Sequence, residues 1–550
     1  MLVERLGRGA AVGALAVSIG VAGLLPAATA AQQRAAAAGT GPAALRAAVQ
    51  AVGGAADLRA LRTFRYTARA QRSIHDEGLR PGGPAERSAS VESTVRYALP
   101  VGQTPARVRV DAARTSLGAT RQVVEVLARR RGFIRGVDAN FSTAETKAMT
   151  SDRWAAILRE QSLLNPHLLL RRALRSPELA RSGDTTRVNG RTYRTLVLRN
   201  RVAPIRLLVD TRSGRLAMLR TMEHDYLRRD VPILVRYHDW TPAGGGLLFP
   251  RRVTLRSDGD VMLRETRGAA GLAVNRPMLG GLFRFPASVD DAQFDRRLAR
   301  IGERTSQWLL SFANLGFIKD GGQTAINPIA ITDGVSTADG VTLLGGVANN
   351  SLVVQRDGGV VVFEGALHDH RAEAVIRFIR RSPAFTGPIT HVVTTHHHAD
   401  HASGQRPYVA LGATAVVGQP AVRFFRGVFA ERDSTILPDR LDRSTAPATV
   451  QGVPAGGLAL TDDQGQDIDV EVFRIPSDHA VDMVVPYVAD QGVLFTSDIY
   501  SPPALPDPAD QNAQAIAALV EAQNLDPQWI AGGHGTFIAY EDFAAALGGQ

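Results

Sequence analysis

The chain has 550 residues, of which 45% are hydrophobic and 21% are charged, a composition typical of ordinary globular domains. It contains no cysteine, which excludes disulfide frameworks, cysteine-ligated zinc, iron–sulfur clusters and cysteine nucleophiles. The net charge of +10 is divided unevenly, because residues 1–325 carry +24 and residues 326–550 carry −14.

Residues 1–30 have the pattern of a cleaved secretory signal. A short charged start precedes an apolar run over 10–25, and an Ala-Thr-Ala tripeptide at 28–30 supplies the small residues that a signal peptidase requires. The run is about 16 residues long, whereas roughly 20 are needed to span a bilayer. We expect a secreted or periplasmic protein whose mature chain begins near Ala31, with an uncleaved membrane anchor as the alternative.

Residues 31–290 are predicted to form a mainly antiparallel β domain. The segments 64–70 and 106–110 alternate apolar and polar side chains, as a half-buried sheet requires. The segment 205–220 has the pattern of a hairpin with glycine in its turn. One helical patch, 152–175, interrupts the strands.

This β pattern resembles the half-barrel of periplasmic lipoprotein-carrier proteins, which implies a cradle for an apolar ligand. A scaffold or dimerisation domain without a ligand is the alternative. We expect the basic surface of this half to face either an anionic membrane or the acidic half of its own chain. Residues 291–325 are predicted to be a helical connector.

From residue 326 to residue 550, strands alternate with helical stretches, which predicts a layered α/β domain. Its strongest motif is a loop after an apolar strand that carries His396, His398, Asp400 and His401. Alternation in an extended segment places the first two imidazoles on one side, where they can share a metal ion. The turn that follows can direct Asp400 and His401 to a neighbouring position, and zinc accepts both nitrogen and carboxylate ligands.

Three further candidate ligands each follow an apolar strand, where sites collect in open α/β sheets. These are His479, Asp498 and His534. The last of them stands between glycines, which let the backbone approach a site closely.

The set His-x-His-x-Asp-His, then His, Asp and His, resembles the metallo-β-lactamase superfamily over about residues 326–550. The resemblance implies an α/β fold, the αββα metallo-β-lactamase sandwich, placed after the β domain. It also implies two Zn²⁺ ions per chain, with iron or manganese as alternative metals. The implied ligands are His396, His398 and His479 for one ion and Asp400, His401 and His534 for the other, with Asp498 as the bridge.

The resemblance further implies a metal-dependent hydrolase in which a hydroxide bridges the two ions and Asp400 is a catalytic residue that orients it. The filled bridge at Asp498 is similar to that of glyoxalase II, lactonases and related hydrolases, so we expect an ester, thioester, lactone or related acyl bond in a small-molecule substrate. Nucleic acid is not expected, since the catalytic half is acidic and the protein is exported.

Three other functions remain open from the sequence. One is a mononuclear iron oxygenase of the same fold, and another is an amide hydrolase of the β-lactamase type. The third is an envelope protein that binds lipid or a partner through its β domain. Among the remaining histidines, His397 is expected to point away from the metals, and His368 and His370 to cap a helix or lie at a rim.

Overall fold

A computed structural model of the chain describes residues 43–100, 106–140, 142–289, 294–317, 327–329, 340–346 and 348–548. The predicted signal peptide and the predicted boundary at residue 326 lie outside these ranges. Within them, no helix is both long and apolar enough to cross a membrane.

The first half of the chain is built on one large antiparallel sheet of 15 strands among the described residues, as the alternating segments predict. Its main path runs β6-β5-β4-β3-β2-β1-β14-β13-β12-β11-β10-β9-β7, and β15 and β8 pair with β1 and β9. The strands are β1 (Thr63–Ile74), β2 (Glu86–Ala98), β3 (Arg107–Ser116), β4 (Ala119–Ala128), β5 (Arg131–Gly136), β6 (Glu145–Ala148), β7 (Ala180–Ser182), β8 (Thr186–Val188), β9 (Arg191–Leu198), β10 (Ile205–Asp210), β11 (Leu216–Asp225), β12 (Arg229–Gly244), β13 (Leu247–Ser257), β14 (Asp260–Arg267) and β15 (Ala273–Val274).

Helices cover the apolar face of this sheet. They are α1 (43–50), α2 (Ala55–Ala60), α3 (Ser151–Leu164), α4 (Pro166–Arg175), α5 (Arg296–Arg304) and α6 (Ser306–Leu315).

The single helical patch predicted at 152–175 is two helices. The chain turns at Asn165, because Pro166 has no N–H to continue α3 but fits the first position of α4.

The helices α5 and α6 fall within the predicted connector and pack against the first sheet and its helices. A Cβ on Gly302 of α5 would lie 2.0 Å from the carbonyl oxygen of Asp152 in α3, so the two helices touch through backbone. At the start of α6, the Ser306 hydroxyl donates to Glu223 of β11 at 2.7 Å. These helices are therefore part of the first half's packed body.

The second half contains two further sheets. One has the order β16-β17-β18-β19-β20-β21-β22 and the other β23-β24-β25-β26-β27-β28. Parallel pairs join β19 through β22, and β26 to β27; all other pairs are antiparallel. The strands are β16 (Asn327–Ile329), β17 (Val341–Gly345), β18 (Ser351–Arg356), β19 (Gly359–Phe363), β20 (Ile389–Thr394), β21 (Thr414–Gly418), β22 (Val450–Val453), β23 (Leu458–Thr461), β24 (Asp467–Arg474), β25 (Val484–Val488), β26 (Val493–Ser497), β27 (Trp529–Gly532) and β28 (Phe537–Ala539).

These two sheets face each other across an apolar core, with helices on both outer sides. Phe363 of β19 and Phe495 of β26 meet in that core with ring centroids 5.9 Å apart. Ile376 packs in the core outside the first of these sheets, and Ile516 in the core outside the second. The predicted αββα sandwich is therefore confirmed. Its helices are α7 (Asp369–Arg381), α8 (Ala399–Ala402), α9 (Arg406–Val409), α10 (Val422–Ala430), α11 (Gln511–Ala522) and α12 (Tyr540–Ala546).

The two halves of the chain share one continuous apolar core. Tyr226, in the turn between β11 and β12, packs against His368 at the start of α7, with ring centroids 5.3 Å apart. Beside this contact, Arg229 donates to Asp442 of the second half at 2.6 Å, and Ser434 donates to Asp230 at 2.7 Å. Apolar burial and buried polar pairs together fix the first sheet against the sandwich.

Candidate metal centre

The predicted ligands lie together at one edge of the sandwich, beyond the ends of β20, β24, β26 and β27. His396 and His398 follow β20 directly. The short helix α8 then carries Asp400 and His401. His479, Asp498 and His534 follow the other three strands.

The first group of potential ligands consists of His396, His398, His479 and Asp498, each of which offers a ligand atom within 4.8 Å of the others. Nε2 of His396 and Nε2 of His479 are 3.1 Å apart. Oδ2 of Asp498 lies 3.3 Å from Nε2 of His479 and 3.9 Å from Nε2 of His396. Three imidazoles and one carboxylate oxygen therefore converge on one point.

The second group consists of Asp400, His401, His534 and the same Asp498. Here Asp498 uses its other oxygen, Oδ1, which lies 2.9 Å from Nε2 of His401 and 3.1 Å from Nε2 of His534. Oδ2 of Asp400 lies 3.3 Å and 3.4 Å from those two nitrogens. One carboxylate thus belongs to both groups, as a bridge between two cations would.

Four ligand atoms of the second group provide a test of whether a cation fits. Among the described residues, Asp400 Oδ1, His401 Nε2, Asp498 Oδ1 and His534 Nε2 are buried and have no hydrogen-bond partner. Buried polar atoms normally have a partner, and leaving one without costs about 1–3 kcal/mol. Because these atoms are imidazole nitrogens and carboxylate oxygens, a divalent cation of the zinc type would satisfy all four.

Backbone carbonyls fix the tautomers of two ligands. The Nε2 of His398 donates to the carbonyl of Gly78 at 3.0 Å, and Nδ1 of His534 donates to the carbonyl of Ala348 at 2.6 Å. Since a carbonyl can only accept, each contacting nitrogen must carry the proton. In the neutral imidazole the lone pair is therefore on Nδ1 of His398 and on Nε2 of His534, where it can bind a metal.

Glu364 supports the site and was not predicted from the sequence. It follows β19 and is fully buried, and its Oε1 accepts hydrogen bonds from the hydroxyls of Thr395 and Ser497. Its Oε2 lies 3.3 Å from Nδ1 of His401, on the side of the imidazole away from the metal group. Glu364 also forms a third potential group with His396 and His401. Its position at the end of an apolar strand, shared with the predicted ligands, was the available signal.

A second supporting element is the loop between β17 and β18. The amide of Asn349 donates to Oδ2 of Asp400 at 3.1 Å. The guanidinium of Arg371, in α7, is fully buried and donates to the carbonyls of Leu344 and Asn349 at 3.0 and 2.8 Å. Arg371 therefore holds the loop that orients Asp400 and, through Ala348, His534.

The two groups differ in their electrostatics. Burial, with a contribution from nearby imidazoles, lowers the pKa of His398 to about 3 and that of His396 well below its ordinary value. Burial alone would also lower the pKa of His534, but the carboxylates of Asp498 and Asp400 outweigh it and raise that pKa to about 10. His396 and His398 are therefore neutral at pH 7, whereas the second group is strongly polarised by its two carboxylates.

The other singled-out histidines have structural partners. His397 points away from the metal groups, and its Nδ1 contacts Oδ1 of Asp482 at 2.6 Å, both side chains being fully buried. His368 caps α7, where its Nδ1 accepts from the N–H of Arg371 at 3.2 Å. His370 lies near Tyr226 at the boundary between the two halves.

Residues 344–534 match the family model described as the metallo-β-lactamase superfamily, and this part of the chain is a domain of that superfamily. No curated protein sequence matches the chain. Among solved structures, the metallo-β-lactamase FIM-1 from Pseudomonas aeruginosa in its mono-zinc form is 18% identical, with 41% of this chain and 95% of that chain covered and a TM-score of 0.31.

Two other solved structures are similar over a comparable share of the chain. A metallo-β-lactamase from Pontibacter korlensis is 17% identical, covers 41% of this chain and 98% of its own, and has a TM-score of 0.30. The chemotaxis sensor ODP from T. denticola, in its apo state, is 15% identical, covers 40% of this chain and 93% of its own, and also has a TM-score of 0.30.

Proposed function

We propose that the metallo-β-lactamase superfamily domain of this chain is a dinuclear zinc hydrolase that cleaves an ester, thioester, lactone or related acyl bond in a small molecule. The observation that carries the proposal is the position of Asp498, whose two oxygens face two different groups of histidines.

The ligand residues would bind two metal ions, and a neighbouring amide orients one of the ligands. His396, His398 and His479 would hold one ion, and Asp400, His401 and His534 the other, with Asp498 between them. When bound, two divalent ions would supply a water of lowered pKa and a Lewis acid that polarises the substrate carbonyl. Asn349 donates to Oδ2 of Asp400 at 3.1 Å and thereby orients this carboxylate, which would hold the second ion and position the attacking water.

The exposure of the ligands indicates where the substrate enters. The side chains of His396 and His401 are fully buried, whereas those of His479 and His534 are 32% and 20% exposed. The ring of Phe317 lies beside His534, with centroids 5.8 Å apart. The entrance is therefore on the His479 and His534 side, where Phe317 provides an apolar wall for the acyl or leaving group.

The test is a substrate panel of lactones, thioesters, esters, β-lactams and phosphodiesters, measured with zinc-loaded full-length protein. We expect turnover of one of the first three classes, and its loss in Asp400→Asn. Asp478→Asn, which changes an exposed aspartate beside His479, should keep the activity. Protein that contains two zinc ions but hydrolyses only phosphodiesters or only β-lactams would contradict the proposed substrate class.

We also propose that the protein acts outside the cytoplasm, supported by the signal pattern of residues 1–30. The basic first half would then contact the acidic catalytic half, and the opposing charges of the two halves support this. Mass spectrometry of exported protein should give a chain that begins near Ala31. A chain that still begins at Met1 would contradict cleavage and favour the membrane-anchored alternative.

A further inference from the structure

The loop between β1 and β2, at residues 75–85, reaches from the first sheet to the metal centre. The carbonyl of Gly78 accepts from Nε2 of His398 at 3.0 Å. The N–H of Ala399, the residue between His398 and Asp400, donates both to Oε1 of Glu77 and to the carbonyl of Asp76, each at 3.0 Å. Three consecutive residues of the first half thus contact the segment that carries the metal ligands.

Two additional contacts extend this loop along the rim of the site. The carbonyl of Leu79 accepts from the N–H of Val481, two residues after the ligand His479, at 3.0 Å. A Cβ on Gly82 would lie 3.2 Å from the ring of Phe424 in α10. The loop is therefore packed on the catalytic domain at both sides of the first ligand group.

The loop is held in place from its own sheet by Arg228. This guanidinium donates to Oδ2 and Oδ1 of Asp76 at 2.8 and 2.9 Å, and to the carbonyl of Gly83 at 3.1 Å. Asp76 is buried and has a φ of 54°, in the left-handed region where a residue other than glycine needs support from its surroundings. Arg228 supplies that support while it lies in the turn between β11 and β12, away from the ligands.

We propose that the β1–β2 loop is a structural part of the metal centre: Arg228 positions Asp76, and the loop then fixes the tautomer and ring orientation of His398 through the Gly78 carbonyl. The inference rests on the proposed dinuclear site and assigns the first half of the chain a role in it. Partners that hold the second nitrogen of a histidine ligand are worth about 10–100-fold in metal affinity. Here that partner comes from 320 residues earlier in the sequence.

The test is Arg228→Ala in the full-length protein, with zinc affinity measured by competition with a chromophoric chelator. We expect one of the two ions to bind about 10–100-fold more weakly, and the absorption spectrum of the Co²⁺-substituted protein to change. Arg252→Ala is a matched control, because Arg252 pairs in the same two-pronged way with Asp239, which has the same φ of 54° on the same sheet but in an exposed position. The control should leave affinity and spectrum unchanged.

A second pair of variants keeps the test decisive if Arg228→Ala does not fold. Glu77→Ala removes one of the two acceptors of the Ala399 N–H, whereas Glu77→Gln keeps an oxygen there. We expect Glu77→Ala to weaken zinc binding and Glu77→Gln to restore most of it. Unchanged affinity in every folded variant would overturn the inference, whereas wild-type protein that binds no metal would instead overturn the proposed function.

Discussion

Oε2 of Glu364 lies 3.3 Å from Nδ1 of His401, with both side chains fully buried, so that a carboxylate stands directly behind a ligand of the second metal group. A carboxylate in this place orients the imidazole and makes it a stronger ligand. We therefore predict that Glu364→Ala lowers the affinity for the second ion by about 10–100-fold. Isothermal titration of metal-free protein with zinc would measure this affinity. Glu373→Ala is the control, because Glu373 forms a partly exposed ion pair with Arg440. Equal affinities of wild type and Glu364→Ala for the second ion would contradict this role of Glu364.

Removal of the shared carboxylate should affect the number of ions bound. Asp498→Ala takes one ligand from both groups, and each group keeps three. We expect the zinc content to fall from about two towards one per chain and turnover to fall on the order of 10²–10³-fold. Elemental analysis after dialysis measures the zinc content, and the substrate panel measures the turnover. A variant that keeps both ions and full turnover would show that Asp498 is not the bridge.

Removal of metal should destabilise the fold. Binding to the native state alone adds about 2.7 kcal/mol per site when free zinc is at 100 times Kd. For two sites in a cooperative unit of about 500 residues, this corresponds to roughly 5 °C in Tm. Calorimetry with and without a chelator should show this decrease, and added zinc should reverse it. A Tm that does not respond to the chelator would contradict binding of metal to these residues.

The acid stability of the first sheet should depend on Glu125. Burial alone would raise the pKa of Glu125, but Arg114 and Arg153, which donate to its two oxygens at 2.7 Å, outweigh burial and lower that pKa to about 2. Because the folded pKa is below the unfolded value of 4.5, the stabilisation is present above pH 4.5 and is lost as the pH falls towards 2. It is lost on acidification, not on alkalinisation.

We therefore predict that Glu125→Gln lowers the free energy of unfolding by about 3–5 kcal/mol at pH 7, since it removes one of the two carboxylates, Glu125 and Asp138, that neutralise the buried guanidinium groups of Arg114 and Arg153. The difference from wild type should shrink by pH 2–3. Urea unfolding followed by tryptophan fluorescence measures both values. Glu92→Gln, from an exposed pair with Arg69, is the control and should change little at either pH. A difference that is constant with pH would contradict the argument.

The sequence predicted those parts of the molecule that local patterns encode. Alternating side chains in β1 and β3 predicted the first sheet, and the order of His396, His398, His479 and Asp498 predicted which side chains meet. Gly78 could not be predicted, because its contribution is a backbone carbonyl whose partner is 320 residues away. The break at Pro166 was predictable from the missing N–H, and the helical pattern of 152–175 concealed it.

The continuous core between the two halves has a consequence for how the chain folds. Tyr226 and Trp308 of the first half pack against His368, and the same core continues to Val375 and Ile376 in α7. A polypeptide that began near residue 340 would leave this apolar surface in contact with water, where it would promote self-association. We therefore expect unfolding of the first sheet to be cooperative with that of the sandwich.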